Sequence, residues 1–267
     1  MTGALSRLNI RPTRGVAFGI HLALSLLVFS SLVAMMLLFW FPGELFFIDG
    51  GWQGLKLVAM VDLVLGPALT LVLFKPGKPK LLMDMAMIAG LQIAALAYGF
   101  HTTHQQRTVA IVFAENGFNT LSARDKLEAD RQLAALDLQP QKLPPVTLLK
   151  LPLVLTPDPK PEEYGQHLED ILNGYPGPQQ RSDQYVPLAS HHELMQEDAL
   201  SVQQLADRGA LRAVEKSLVK RSLDAEDVEF YRFKARYADG IAIFDPDAVR
   251  IVDYVTYESP VIAAASS

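Results

Sequence analysis

The sequence predicts an α-helical membrane protein with three transmembrane helices, followed by a soluble α+β domain that contains an antiparallel β meander. Three observations predict this architecture: three long apolar segments near the N-terminus, a change from basic to acidic composition after residue 100, and alternating strand patterns near the C-terminus. We expect the transmembrane region to occupy residues 1–105 and the soluble domain to occupy residues 106–267.

Three apolar segments are long enough to cross a bilayer, which requires roughly 20 residues of helix. They lie at residues 16–41, 55–74 and 81–100. The first segment follows several arginines, as the apolar part of a cleaved signal peptide does. Its apolar run is longer than in such peptides, and it ends in the aromatic residues 39–41 instead of small ones. We therefore expect it to be retained.

The distribution of basic residues predicts the orientation, because short loops rich in Lys and Arg stay in the cytoplasm. Basic residues lie before the first segment and between the second and third, at Arg7, Arg11, Arg14, Lys75, Lys78 and Lys80. The loop over 42–54 instead carries Glu44 and Asp49. We expect a cytoplasmic N-terminus and a C-terminal domain on the outer side, which in a bacterium is the periplasm.

The two parts of the chain differ in charge, which the overall balance of −5 conceals. Residues 1–100 hold seven of the 24 Lys and Arg and four of the 29 Asp and Glu, so residues 101–267 hold 17 basic and 25 acidic side chains. Because nucleic-acid binding depends on Lys and Arg, we expect no nucleic-acid partner. The absence of cysteine excludes disulfides, thiolate metal sites and cysteine nucleophiles.

An acidic residue and a proline interrupt the second apolar segment. An ionised carboxylate at Asp62 is costly inside the bilayer, so it needs a polar partner or a proton. Pro67 follows Gly66 and lacks a backbone N–H, so it opens the helix near Leu63. This combination has two interpretations: part of a proton or ion path, or a polar contact between helices of this protein or with a partner's helix.

Small residues repeat every four positions in two of the segments. They are Gly15, Gly19 and Ala23 in the first segment and Ala86, Gly90 and Ala94 in the third. Helices approach each other closely in lipid where their side chains are small. The stripes either pack the bundle internally, or one of them faces the transmembrane helix of a partner; the sequence leaves both open.

The soluble part begins with a β-branched segment over 108–113, which predicts a central strand directly after the third apolar segment. A capping-box pattern that starts at Ser122 predicts a helix over 123–137. Seven prolines between 140 and 161 predict extended chain or loop. Further helices are expected over 162–173 and 211–220.

Residues 190–193 contain the start of a zinc-protease pattern. His192 and Glu193 would open HExxH, but its last position is Gln196. Ser190 and Glu193 also form a capping box, which predicts a helix that ends at Gly209. Nucleophile-elbow, phosphate-loop and dinucleotide motifs are absent from the sequence. We therefore expect no catalytic, cofactor-binding or metal-ligating residues, and a protein that is not an enzyme.

Alternation near the C-terminus predicts three antiparallel strands. Residues 230–237 place Arg232, Lys234 and Arg236 on one face. A tight turn at 239–240 then leads into two returning strands. The basic stripe is either a solvated face or a docking surface.

Motifs between residues 39 and 113 resemble the TfpX/TfpZ family of type IV pilin accessory proteins. They follow one another in that family's order: FWFPG (39–43), GGWQGLKLV (50–58), VDLVLGP (61–67), AALAYG (94–99), QR (106–107) and VAIVF (109–113). Beyond Glu115 the match is loose, as is expected if the outer domain varies with its client.

The resemblance implies a non-enzymatic accessory protein of the bacterial inner membrane that assists assembly or surface presentation of a cognate type IV major pilin, as chaperone, stabiliser or modulator of retraction. Its partners are then that pilin and the lipid bilayer, with no cofactor; the oligomeric state stays open. The residues expected to meet the pilin are Asp62, Gly66, Pro67, Gly15, Gly19, Arg232, Lys234 and Arg236. The alternative is a membrane-anchored periplasmic ligand-binding sensor or a transporter-associated subunit.

Overall fold

Three long helices precede a seven-stranded β-sheet. The computed structural model describes residues 13–148 and 150–257, so Arg7 and Arg11 of the basic N-terminal flank lie outside the described residues. Three helices are long and apolar enough to cross a membrane, and we call them spans 1, 2 and 3; they are Arg14–Trp40, Gly51–Leu73 and Leu81–Gln106. The predicted fold class is confirmed.

Span 1 consists of helix α1 (Arg14–Met35) and a π-helical turn (Met36–Trp40). Thr13 caps α1, because its hydroxyl oxygen accepts a hydrogen bond from a backbone N–H of the first turn at 3.2 Å. At the other end, Trp40 packs edge-on against Phe100 of span 3, with ring centroids 5.1 Å apart. Aromatic rings of this kind are typical of the membrane–water interface.

Span 2 is an interrupted helix. Its parts, together with the short helix that precedes it, are α2 (Leu45–Ile48), α3 (Gly51–Ala59), a π-helical turn (Met60–Leu65) and α4 (Gly66–Leu73). Pro67 has no N–H to donate to the preceding turn, and the wider π-helical turn lies where the hydrogen-bond ladder is broken. The helix opening predicted near Leu63 is thus confirmed.

Span 3 is helix α5 (Leu81–Gln106), which is continuous over 26 residues. Arg107 is the one residue that separates α5 from strand β1 (Thr108–Ala114). Its guanidinium donates a hydrogen bond to the His104 carbonyl at 2.6 Å and so satisfies one of the free carbonyls at the helix end. This short connection restricts how far the soluble domain can move relative to span 3.

The sheet of the soluble domain is mixed, with the strand order β4-β3-β1-β2-β5-β6-β7. Its remaining strands are β2 (Gly117–Ser122), β3 (Leu153–Leu155), β4 (Val186–Pro187), β5 (Glu229–Lys234), β6 (Asp239–Asp245) and β7 (Arg250–Thr256). Strands β5, β6 and β7 form the antiparallel meander, as predicted. In contrast, β1 pairs with β3 and β2 pairs with β5 in parallel.

The turn between β5 and β6 is displaced from its predicted position. Residues 239 and 240 belong to β6 and pair with β5, so the tight turn predicted there is wrong. The chain reverses between Ala235 and Ala238, whose backbone N–H and carbonyl are hydrogen bonded at 2.9 Å. The physical reason is tertiary: Arg236 and Tyr237, at the tip of this hairpin, bond to the loop between spans 1 and 2.

The helices of the soluble domain are α6 (Ala123–Ala135), α7 (Tyr164–Leu172), α8 (Val202–Asp207) and α9 (Leu211–Arg221). The hydroxyl of Ser122 accepts a hydrogen bond from the N–H of Asp125 at 3.0 Å and caps α6. The helices predicted over 123–137 and 211–220 are confirmed, and α7 lies inside the range predicted for it.

The helix predicted to begin at Ser190 is wrong. Residues 188–198 form three short 3₁₀ turns, and the complete capping box lies at Ser201, which begins α8. The turns place Leu188 and Met195 in the core, with exposed fractions of 1% and 0%. Burial of these two side chains outweighs a local capping signal that requires no tertiary contact.

Each face of the sheet has a different cover. On one face, α8 and α9 pack on β5 and β6 through a core that includes Leu205, Val214 and Ile243. On the other face, side chains of β1, β2 and β5 share a core with Phe41 and Leu45, which are 0% and 1% exposed. The loop between spans 1 and 2 is therefore part of the hydrophobic core of the soluble domain.

A buried carboxylate joins this loop to the sheet. Asp49 is fully buried, at 0% exposed. Its oxygens accept hydrogen bonds from Thr108 Oγ1 of β1 at 2.5 Å, Thr120 Oγ1 of β2 at 2.7 Å and the Arg236 backbone N–H at 2.9 Å. Three separate parts of the soluble domain thus bind one side chain of the loop, and we call this contact the Asp49 junction.

The hairpin tip also contacts the loop between spans 1 and 2 and the C-terminal end of span 3. The Tyr237 N–H donates to the Ile48 carbonyl at 3.0 Å, and the Arg236 guanidinium donates to the Gln106 carbonyl at 3.2 Å. The buried acid also affects a neighbouring tyrosine. Burial raises the pKa of Tyr254, and the negative charge of Asp49 raises this pKa further. The loop between spans 1 and 2 and the end of span 3 are therefore fixed to the same hairpin.

Replacing the acid tests the junction. Asp49→Ala is expected to destabilise the protein by about 3 kcal/mol, because it removes the acceptor of the buried Thr108 hydroxyl, the half-buried Thr120 hydroxyl and the Arg236 backbone N–H. In thermal unfolding of the detergent-purified protein, the midpoint should fall by roughly 10 °C. Glu44→Ala is the control, since Glu44 lies exposed in the same loop. An equal midpoint for the two variants would contradict the junction.

Candidate partner-binding surfaces

One polar residue from each span meets inside the bundle. Asp62 of span 2 is 9% exposed, and its Oδ1 accepts hydrogen bonds from Ser25 Oγ of span 1 and Gln92 Nε2 of span 3, both at 3.2 Å. Nearby, His21 Nδ1 and Thr70 Oγ1 lie 2.6 Å apart and link spans 1 and 2. Such bonds contribute roughly 0.6–2 kcal/mol each in a membrane. We call Ser25, Asp62 and Gln92 the intramembrane cluster.

The second carboxylate oxygen of Asp62 differs from the first. Among the buried side-chain polar atoms of residues 13–148 and 150–257, Asp62 Oδ2 is the one that lacks a hydrogen-bond partner. The geometry supports the polar-contact interpretation of Asp62, because its other oxygen joins all three spans. The sequence identified Asp62 as a candidate but did not identify Ser25. Serine is common in transmembrane helices, so its presence alone does not indicate a polar contact.

Gly66 makes room for the Gln92 side chain. A Cβ atom on Gly66 would lie 1.9 Å from Gln92 Nε2, so a larger residue would displace the amide from Asp62. Gly66 and Pro67 are both buried between the spans. These residues therefore act on the inside of the bundle, and a partner helix on the lipid side does not reach them.

Both small-residue stripes face away from the bundle. The span 1 stripe is exposed, and no atom of the described residues lies within 4 Å of a Cβ built on Gly15 or Gly19. In span 3, Ala86, Gly90 and Ala94 are exposed in the same way, and a Cβ on Gly90 also meets no atom. This arrangement does not support internal packing of the bundle. It is compatible with the other interpretation, in which one stripe faces the transmembrane helix of a partner.

The three residues of the basic stripe have different surroundings. Lys234 is exposed on β5. Arg232 Nε donates to the Asn116 carbonyl of the β1–β2 turn at 3.2 Å. Arg236 lies at the hairpin tip, where its guanidinium contacts the Asp49 and Gln106 carbonyls. All three residues are exposed, but Arg236 belongs to the Asp49 junction, so Arg232 and Lys234 are the members of the stripe that lie outside it.

The basic stripe lines an open cleft of about 510 Å³ over β2 and β5. Further polar side chains of its wall are Asn119, Asp125, Gln179, Arg208 and Asp239. Because both acidic and basic side chains line it, the cleft is polar and not uniformly basic.

The histidine that begins the incomplete zinc pattern makes a structural contact. His192 Nε2 lies 2.7 Å from Glu229 Oε2, and its ring stacks on Phe244 with centroids 5.6 Å apart. In the part of the chain that the structure describes, no group of three or more His, Asp or Glu is placed to hold a metal ion.

Curated fimbrial assembly proteins of Dichelobacter nodosus are similar to this chain. The protein of serogroups C1 and C2 is 32% identical over 111 residues, which are 41% of this chain and 85% of that relative. This chain belongs to the fimbrial assembly protein family. The fimbrial assembly proteins of serogroups E1 and I are 32% and 33% identical over 128 residues, 47% of this chain and of each relative, so the chain spans about half their length. No family model and no solved structure matches.

The role of Gly66 in this fimbrial assembly protein can be tested with a double-mutant cycle. Gly66→Ala and Gln92→Leu should each lower bundle stability by about 1 kcal/mol, because both break the bond between Gln92 and Asp62. The double variant should lose little more than either single variant. Unfolding by SDS in mixed micelles measures the losses.

The matched control for this cycle is Gly90→Ala, which adds the same methyl group where no atom lies within 4 Å. Its stability should equal or slightly exceed that of the wild type, because alanine favours the helix more than glycine does. Additive losses in the Gly66/Gln92 double variant would show that Gly66 and Gln92 act independently.

Proposed function

We propose that this protein is a non-enzymatic accessory protein of the bacterial inner membrane, of the TfpX/TfpZ type, that assists assembly or surface presentation of a cognate type IV major pilin. The observation that carries the proposal is membership of the fimbrial assembly protein family, whose names describe assembly and no reaction. The motifs over 39–113 supply the finer resemblance.

The Asp49 junction supports a periplasmic position for the soluble domain. The loop between spans 1 and 2 shares a core and hydrogen bonds with the sheet, so the loop and the domain lie on the same side of the membrane. That loop carries acids and no Lys or Arg, whereas the loop between spans 2 and 3 carries Lys75, Lys78 and Lys80. By the positive-inside rule, the lysine loop is cytoplasmic and the domain periplasmic.

The proposed mode of action is two-point holding of the pilin. A membrane-held pilin has one apolar helix in lipid and one head outside, and a protein with spans and an outer domain meets both. The second contact is then intramolecular, which raises its effective concentration. The Asp49 junction fixes the distance between the two contact regions, so the geometry is set before the pilin arrives.

The outward stripe at Gly15 and Gly19 is the proposed contact for the pilin's apolar helix. Small residues there allow close backbone approach, and no part of the described bundle covers them. The intramembrane cluster, with Gly66 and Pro67, holds the bundle in the shape that presents the stripe. Arg232 and Lys234, with Arg236 beside them, form the proposed contact for the pilin head.

A second candidate function is a periplasmic ligand-binding sensor or a transporter-associated subunit. The polar cleft of about 510 Å³ favours it, because its size is that of a small-molecule site. Such a protein would act without affecting fimbriae.

Deletion of the gene separates the two functions. The proposal predicts fewer surface pili and less twitching motility, because pilin loses the protein that assists it; a sensor or transporter subunit predicts neither. Electron microscopy and a motility assay measure the outcome, and a plasmid copy of the wild-type gene should restore it. Normal piliation in the deletion strain would refute the proposal.

The stripe can be tested by enlarging it. Gly15→Leu with Gly19→Leu should lower co-purification of the cognate pilin by about fivefold, because leucine side chains keep the two helices apart. Val28→Leu enlarges another exposed position of span 1 and is the control. Unchanged pilin recovery with the double variant would exclude the stripe as the contact.

A further inference from the structure

Helix α7 has an apolar face that residues 13–148 and 150–257 leave at least half exposed. Its large apolar side chains share one side of the helix, because the second follows the first by four residues, and the third and fourth follow the second by three and four residues. They are Tyr164, Leu168, Ile171 and Leu172, with exposed fractions of 53%, 58%, 50% and 82%. No residue of α7 is buried. Exposed apolar surface of this kind marks an interaction site more often than isolated apolar residues do.

The helix is attached to the domain by its polar side. Its half-buried residues are His167 and Asp170. Asp170 Oδ2 accepts a hydrogen bond from Arg181 Nη1 at 3.4 Å, and the Arg181 guanidinium lies 5.3 Å from the centre of the Tyr175 ring. A surface helix normally turns its apolar stripe to the core. The reversed orientation of α7 leaves the stripe for a partner.

The charges around α7 indicate which partner fits. Glu162, Glu163 and Glu169, in α7 and just before it, are exposed; Lys160 is the one Lys or Arg between Asp158 and Leu172, and His167 in the same stretch is half-buried. Helices that lie on a membrane surface carry Lys and Arg, because lipid headgroups are anionic. An acidic border therefore disfavours a lipid surface and favours a protein groove whose rim is basic.

We propose that α7 docks with its apolar face in an apolar groove, rimmed by Lys or Arg, on the periplasmic head of the client pilin. The inference rests on the proposed function and adds a contact that is separate from the basic stripe. Because α7 is already folded on the domain, it loses less conformational entropy on binding than a disordered segment would.

The test compares the affinity of the full-length protein, held in lipid nanodiscs, for the purified soluble head of the cognate pilin. Leu168→Ser with Ile171→Ser removes apolar surface without a change of charge and should weaken binding about tenfold or more. The matched control is Val202→Ser with Val219→Ser, which removes two apolar side chains that are 60% and 81% exposed on α8 and α9. It should bind like the wild type.

Folding does not confound the comparison. Because all four replaced side chains are at least half exposed, both double variants should keep the circular dichroism spectrum and melting temperature of the wild type. A photo-crosslinker at position 172, the most exposed of the apolar positions, identifies what lies against α7. An adduct with the pilin head supports the proposal, and an adduct with lipid or with a second copy of this chain overturns it.

The affinities also separate the two proposals. If the wild type binds the head and the Leu168/Ile171 variant binds equally well, the α7 site is overturned and the proposed function stands. If the wild type does not bind the head, the proposed function fails in its two-point form, and the α7 site fails with it.

Discussion

The buried Asp49 carboxylate is the contact on which the arrangement of the membrane and soluble parts depends. A carboxylate without solvent is tolerated only when its oxygens are hydrogen bonded, and Asp49 obtains its donors from β1, β2 and the β5–β6 hairpin. These donors come together only when the sheet is complete. The loop between spans 1 and 2 and the sheet therefore fold onto each other, and the single residue between α5 and β1 adds a second constraint.

The inner and outer surfaces of the bundle differ in chemical character: the inner one has polar contacts and the outer one is apolar. Inside, Asp62 binds a hydroxyl from span 1 and an amide from span 3, and Gly66 leaves space for that amide. Outside, small residues and exposed large apolar side chains face the lipid. Polar bonds hold helices together in lipid, where no hydrophobic force drives association. The outer surface is consequently available for a partner helix without loss of the inner contacts.

The soluble domain presents two surfaces of opposite character. The cleft over β2 and β5 is polar and includes exposed basic residues, whereas α7 is apolar with an acidic border. In the sequence, α7 lies between β2 and β5, the two strands that form the cleft. A client head with a matching pair of patches would be held in one orientation, which is useful for a protein that assists assembly.

The sequence is sufficient to predict the three spans, the position of the break in span 2, the α6 and α9 helices and the C-terminal meander. Each follows from a local rule of apolar length, proline geometry, capping or alternation, which acts on neighbouring residues. It also singled out Asp62 as a buried acid that needs a partner. Tertiary structure alone decided the parallel pairing of β1 with β3 and β2 with β5, the hairpin tip at 236–237, and the turns over 188–198. It alone made Asp49 a junction, turned the glycine stripes outward and left the apolar face of α7 uncovered. These features depend on residues far apart in the chain, so no local pattern records them.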